Sequence, residues 1–228
     1  MTRLLLMAAS GLARETLASI RSAGHGRDMV VGFLDDDPSL HGTLLDGVPV
    51  LGGLDLAAER REKLLLCAGQ GSARAAIEDR LQRLGVGADR YATHVHPSVV
   101  VGSGTRIGPG SILLAGCVLT CDITLGRHTV LMPQTVLTHD DVAQNHVTFA
   151  AGVTLAGRVH VGERSYLGMQ SSVRQDVRLG ADVVVGAGAV VLHDIPSGQT
   201  WAGNPATRLS PAHREPASGP LSTEGTRA

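Results

Sequence analysis

The stretch VLTCDITLGRHTVLMPQTVLTHDDVAQNHVTFAAGVTLAGRVHVG, residues 118–162, places an apolar side chain at every sixth position: Leu119, Leu125, Leu131, Leu137, Ala143, Phe149, Leu155 and Val161. The frame extends both ways without a break, back through Leu113, Ile107 and Val101 to Val95, and on through Leu167, Val173, Leu179 and Val185 to Val191. With 43% hydrophobic residues in the chain, an uninterrupted run of this length has chance odds of about one in a million. Period six suits neither an amphipathic helix nor an alternating strand. It suits a solenoid in which each hexad supplies one flat side and one corner of a triangular coil, the hexapeptide-repeat parallel β-helix.

Working outward, three hexads make a coil of eighteen residues, so the repeat predicts between five and six coils stacked at roughly 4.8 Å. No insertion interrupts it, so any site must be built from coil faces, corners or a neighbouring copy. Positions four after each anchor are small or β-branched, as at Val99, Thr129, Val147 and Val159, and suit a packed corner. Flat outer faces of such a prism are usually covered by threefold association, which predicts a homotrimer.

Ahead of the repeat, apolar runs alternate with helix-period segments. Strands are expected over residues 3–9, 29–34, 48–52 and 63–68. One helix follows Ser10-Gly11, with Leu12, Leu17 and Ile20 on one face, and a second follows Gly69-Gln70-Gly71. Residues 1–90 therefore read as a small Rossmann-like parallel α/β domain, residues 95–209 as the β-helix, and 210–228, rich in Pro, Ser, Gly and charge, as a disordered tail.

The 228-residue chain carries a net charge of −1, so it offers no electrostatic footprint for nucleic acid or an anionic membrane. No apolar stretch reaches spanning length, and residues 1–7 lack the pattern of a secretory signal. Cys67, Cys117 and Cys121 are an odd set without zinc-ribbon spacing, which reads as reduced thiols in a cytoplasmic protein.

Three places carry polar groups suited to chemistry. The turn at Ser10-Gly11 opens a helix, so it is either a structural turn or a phosphate-facing helix end. Asp35 and Asp36 end the second strand, either as a solvated turn or as acceptors for sugar hydroxyls, and Gly69 lies on the same sheet edge. Within the solenoid, Thr138-His139-Asp140-Asp141 is a polar interruption. It is either a surface corner or a histidine base tuned by its neighbour, and contact between His139 and Asp140 requires the corner to bend. His128, His146 and His160 are expected to face solvent.

Taken together, these motifs with Phe33-Leu34-Asp35-Asp36, Leu155-Ala156-Gly157, the run from Val185 to Val191 and the ending Gly203-Asn204-Pro205-Ala206 resemble one branch of the hexapeptide-repeat acyltransferases. These are left-handed β-helix enzymes, and the branch comprises bacterial sugar acetyltransferases of the sialic acid O-acetyltransferase and UDP-4-amino-sugar N-acetyltransferase type. The resemblance implies acetyl-CoA as co-substrate, a sugar or nucleotide-sugar acceptor, His139 as general base and Asp140 as the carboxylate that sharpens it. It implies that Gly157 faces the acetyl group and that Met169 and Ala187 line the CoA channel between subunits. Ser10, Gly11, Asp35, Asp36 and Gly69 would hold the acceptor. The chain departs from the branch at Ala8, where glycine is common, and at Leu12, where histidine is common. A second histidine near acetyl-CoA is replaced by Thr148, with His146 two residues before it as a substitute. Hexapeptide-repeat carbonic anhydrases bring three histidines to zinc, but no triplet with their spacing occurs here, so no metal is expected.

Overall fold

The computed structural model describes residues 3–24 and 29–210. The tail expected over 210–228 lies outside them, apart from Ser210. In chain order the first part holds β1 (Leu4–Met7), α1 (Gly11–Ser22), β2 (Val30–Leu34), β3 (Leu44–Leu45), β4 (Val48–Gly52), β5 (Lys63–Leu66) and α2 (Gly71–Arg83). The sheet order is β3-β4-β2-β1-β5. The four longer strands pair in parallel, but β3 pairs antiparallel with β4. The sheet is therefore mixed, which corrects the expected all-parallel arrangement. The cause is a two-residue turn at Asp46 and Gly47, both at positive φ (49° and 79°), the backbone combination that closes tight hairpins.

Alternation along β1 splits its side chains between two cores. Leu4 and Leu6 pack with Leu12, Leu17 and Ile20 of α1, whereas Leu5 and Met7 pack with Leu81 of α2. The α1 core continues into Ile112, Leu114 and Val130 of the solenoid, so this helix stands directly on one coil face.

Seventeen two-residue strands follow, from His94–Val95 to Val190–Val191. Each pairs in parallel with the strand eighteen residues away, as Val118 does with Val136 and Val100, which fits a left-handed β-helix. The ladders form three faces: a first running from His94–Val95 to Val184–Val185 and on to Thr200–Ala202, a second from Val100–Val101 to Val190–Val191, and a third from Arg106–Ile107 to Arg178–Leu179. From Leu113 to Val191 every anchor is at most 3% exposed. Val95 and Val101, in the first coil with no coil beneath them, are 36% and 45% exposed. The third residue after each anchor, from Gly104 to Gly188, has φ between 53° and 76°. These left-handed residues turn the chain through each corner, and glycine and aspartate are the commonest there because they tolerate that conformation readily.

The two parts are joined at the corner after the third face. Gly71, which opens α2, lies so close to it that a Cβ would sit 2.1 Å from the His146 carbonyl oxygen. Arg74, fully buried, donates from Nε to the carbonyl of His128 (3.0 Å) and from Nη2 to the carbonyl of His146 (2.8 Å) and Thr148 Oγ1 (2.9 Å). Its Nη1 reaches the carbonyls of Ala68 and Gly69. Burial pushes this guanidinium down to about 10, still charged at neutral pH. Replacing Arg74 by Met should lower unfolding free energy by about 2–4 kcal/mol, because buried carbonyls lose their donors. Urea denaturation measures this, and a change under about 0.5 kcal/mol would show that the junction does not need the guanidinium.

Candidate active site

His139 sits at the corner between the second and third faces, flanked by the strands Val136–Leu137 and Val142–Ala143. Adjacent residues on a strand point apart, but Asp140 is the left-handed residue of this corner (φ 61°). The bend turns the two side chains together, and His139 Nδ1 lies 2.9 Å from Asp140 Oδ2. An ionised carboxylate only accepts, so Nδ1 is the donor of this pair, and in the neutral imidazole Nε2 then keeps its lone pair. The two side chains are 47% and 56% exposed. Water therefore screens the pair here, and its full electrostatic effect requires a ligand or another chain to displace that water.

Nε2 faces the next coil. Gly157 lies eighteen residues on, is buried and has φ 94°, and a Cβ at this position would sit 2.7 Å from His139 Nε2 and 2.9 Å from its Cε1. Arg158, beside it, is also left-handed (φ 53°). It donates its backbone N–H to the His139 carbonyl (2.9 Å) and holds Asp176 through two side-chain bonds. Only glycine satisfies both the backbone angle and the imidazole above it.

Asp141 went unassigned in the sequence reading. It is 1% exposed, at a corner position filled elsewhere by small or β-branched residues. Its Oδ2 accepts from the Thr138 N–H (2.8 Å) and its Oδ1 from the Val159 N–H (2.9 Å). Burial pushes its carboxyl up to about 6, although the two N–H bonds and nearby His139 favour the charged form.

The other expected residues fall elsewhere. Ser10 caps α1, accepting from the Ala13 N–H (3.3 Å) and donating to the Cys67 carbonyl (2.6 Å). Gly11 is exposed, with open space where a side chain would project. Ala8 takes a left-handed φ of 77°. Asp35 is engaged by backbone, Oδ2 accepting from Ala9 (2.7 Å) and Oδ1 from Asp37 (2.9 Å). Asp36 accepts from Leu54 (3.0 Å) and pairs with Arg80. A groove of about 740 Å³ runs between α1 and the first coil face. Its walls include Gly11, Leu12, Gly69, Met132, Thr148 and Met169. Met169 is 57% exposed there, and the exposed Ala187 stands one coil further along the same corner. None of the residues lining the groove comes from the corner that carries His139.

His128 and His146 do not face solvent. They are 0% and 3% exposed and stack with ring centroids 5.2 Å apart. Both direct Nε2 toward Glu78 of α2, at 3.3 and 2.9 Å. Burial opposes the charge on Glu78, but bonds from His128, His146 and Arg127 outweigh it and hold the carboxyl well below the usual range. His146 is thus an anchor for α2 at a different corner from His139. Thr148 also faces α2's side of the first face, donating to the Gly69 carbonyl (2.9 Å) and accepting from Arg74. The sequence carried a clue in Arg74 and Glu78, one helical turn apart on α2, but not which corner they meet.

Cys67 and Cys117 are buried and free, and burial pushes their thiols up to about 12 and about 11, far from a nucleophilic thiolate. Cys121 is also free and partly exposed. No group of three metal-binding side chains converges among the described residues, and no helix among them is long and apolar enough to cross a membrane.

No protein-family model matches the sequence, and no curated protein sequence matches it. Solved structures do. The fold is similar, at a TM-score of 0.82 and 28% identity, to a histidine-to-asparagine mutant of perosamine N-acetyltransferase from Caulobacter crescentus in complex with CoA and GDP-perosamine, covering 92% of this chain and 98% of that one. The acetyltransferase domain of PglB from Neisseria gonorrhoeae in complex with acetyl coenzyme A gives 0.81 and 28%, over 91% of this chain and 98% of that one. WeeI from Acinetobacter baumannii gives 0.82 and 28%, over 92% and 100%. Gly157→Ala should cut turnover in thioester assays by about 10²-fold, since the added methyl displaces the imidazole. Unchanged turnover would show that the ring has room to spare.

Proposed function

We propose that this chain, a hexapeptide-repeat acyltransferase, moves the acetyl group of acetyl-CoA directly onto the amine or hydroxyl of a sugar or nucleotide-sugar, with His139 as general base. The observation that carries the reading is the His139–Asp140 pair, whose open Nε2 faces the bare backbone of Gly157 one coil away. His139 Nε2 takes the proton of the attacking N–H or O–H as the new bond to the thioester carbonyl carbon forms. Asp140 stabilises the resulting imidazolium. Gly157 leaves backbone space for the developing oxyanion, and the C–S bond then breaks, with His139 returning the proton to the departing thiolate. Among the described residues no cysteine stands beside a base in a way that supports a covalent acyl-enzyme.

The proposed acceptor and CoA residues lie at more than one corner of the triangle. Gly157 shares the His139 corner, whereas Met169, Ala187 and the groove beneath α1 belong to the corner after the first face. A second copy packed against the second face would bring them opposite one another. That face presents Val100, Val118, Val136 and Val190 outward, whereas α1 already packs over Ile112 and Val130 of the first face. Threefold closure then gives a homotrimer with three shared sites, each with CoA in the channel between subunits and the acceptor held by Ser10, Gly11, Asp35, Asp36 and Gly69. Use of acetyl-CoA and three free cysteines are consistent with a cytoplasmic enzyme.

A second reading, an acceptor without a nucleotide, is favoured by one feature. Among the described residues no Lys or Arg lines the groove, Glu15 is its one charged side chain, and Leu12 is apolar. Thiol release from acetyl-CoA with GDP-perosamine, or with an amino-sugar glycoside lacking phosphate, separates the two. With whichever acceptor turns over, His139→Ala should lower turnover by about 10²–10⁴-fold while light scattering shows an unchanged assembly. Turnover like that of the unaltered chain would remove His139 from the mechanism.

A further inference from the structure

Asp141 has no place in the proton transfer described above, yet it is a buried acid beside the base. Two other corners show what an oxygen at this position can do. Ser111 Oγ accepts from the Thr129 N–H (3.2 Å) and Ser165 Oγ from the Val183 N–H (3.0 Å), each a tie to the coil eighteen residues on. Asp141 makes the same tie to Val159 and, having a second oxygen, also captures the Thr138 N–H within its own turn. Thr138 opens the turn that presents His139, and Val159 closes the turn that presents Gly157.

We propose that Asp141 is the positioning residue of the acetyl transfer: its carboxylate clamps the His139 turn to the Gly157 turn and so sets the gap in which thioester and nucleophile meet. This rests on the reading of His139 as the base. Keeping an acid in this place is costly. Its surroundings are His139, Asp140 and the backbone of two coils, and no Lys or Arg contacts it directly among the described residues. The nearest guanidinium in sequence, Arg158, is bound to Asp176. An uncharged small or β-branched residue fills the same position in the other coils, so coil stacking alone does not require a carboxylate.

Asp141→Ser separates the two ties, because a single hydroxyl oxygen can keep the bond to the next coil, as Ser111 and Ser165 do, and cannot also reach Thr138. In the full chain, amide hydrogen exchange should become at least about tenfold faster at Thr138 while Val159 stays protected. In the thiol-release assay kcat should fall by about 10–100-fold, with KM for acetyl-CoA within about threefold and the thermal unfolding midpoint unchanged or higher. Asp141→Asn, which keeps one accepting oxygen and puts an N–H₂ against the other donor, should show the same split between kcat and KM. Unchanged kcat in both variants, or unchanged exchange at Thr138 in the serine variant, overturns the proposal. If His139→Ala also turns over normally, the functional reading has failed and the positioning role falls with it. If only the Asp141 variants do so, the base stands and the clamp does not.

Discussion

The coils depend on one backbone feature, the left-handed residue three places after each anchor from Val101 to Val185. It lets three two-residue strands and three corners close in eighteen residues, so that every side chain sits directly above its counterpart one coil earlier. Vertical stacking follows from that closure. It places Gly157 over His139, His146 over His128, and Arg158 near Asp176. At the corner that carries His139 the same bend brings Asp140 round to it, which a straight strand would forbid. The proposed dyad is thus a by-product of how the solenoid turns.

The three corners carry different work. The corner after the third face holds the α/β part through buried Arg74 and the Glu78–His128–His146 cluster. The corner after the first face borders the apolar groove under α1. The corner after the second face carries His139, Asp140, Asp141 and Gly157. This division explains why one chain shows a polar notch and an acceptor-sized groove that do not meet. It also fits the exposure of the His139–Asp140 pair, since a base half in water gains its full effect only when the site is enclosed.

The repeat was legible in the sequence because burial imposes it: anchors from Leu113 to Val191 are almost wholly enclosed. The β1–α1 and β5–α2 turns were legible for similar reasons, their apolar runs and caps agreeing with each other. The antiparallel β3 was overlooked, although Leu45-Asp46-Gly47-Val48 carries a hairpin signal, because the flanking strand is only two residues long. His128 and His146 were expected outside because a solenoid sequence does not say which corner another domain will cover. Asp141 was submerged in a run of polar residues, and its burial follows from its place four after an anchor, where small or β-branched residues stand in the other coils. Asp35 stood out as a carboxylate at a strand end, and the structure gives each of its oxygens one backbone donor, which fixes its orientation and leaves further lone pairs for a ligand.

The central claim is that the working site is divided between copies of the chain, and subunit mixing tests it most directly. His139→Ala removes the base and Met169→Arg obstructs the opposing channel wall, so each variant alone should be inactive. Mixed one to one and allowed to exchange subunits, they should regain about one quarter of the unaltered activity, because one in four adjacent pairs joins an intact His139 to an intact groove. Mixed assemblies that form but show no activity above either variant would contradict a site shared between copies.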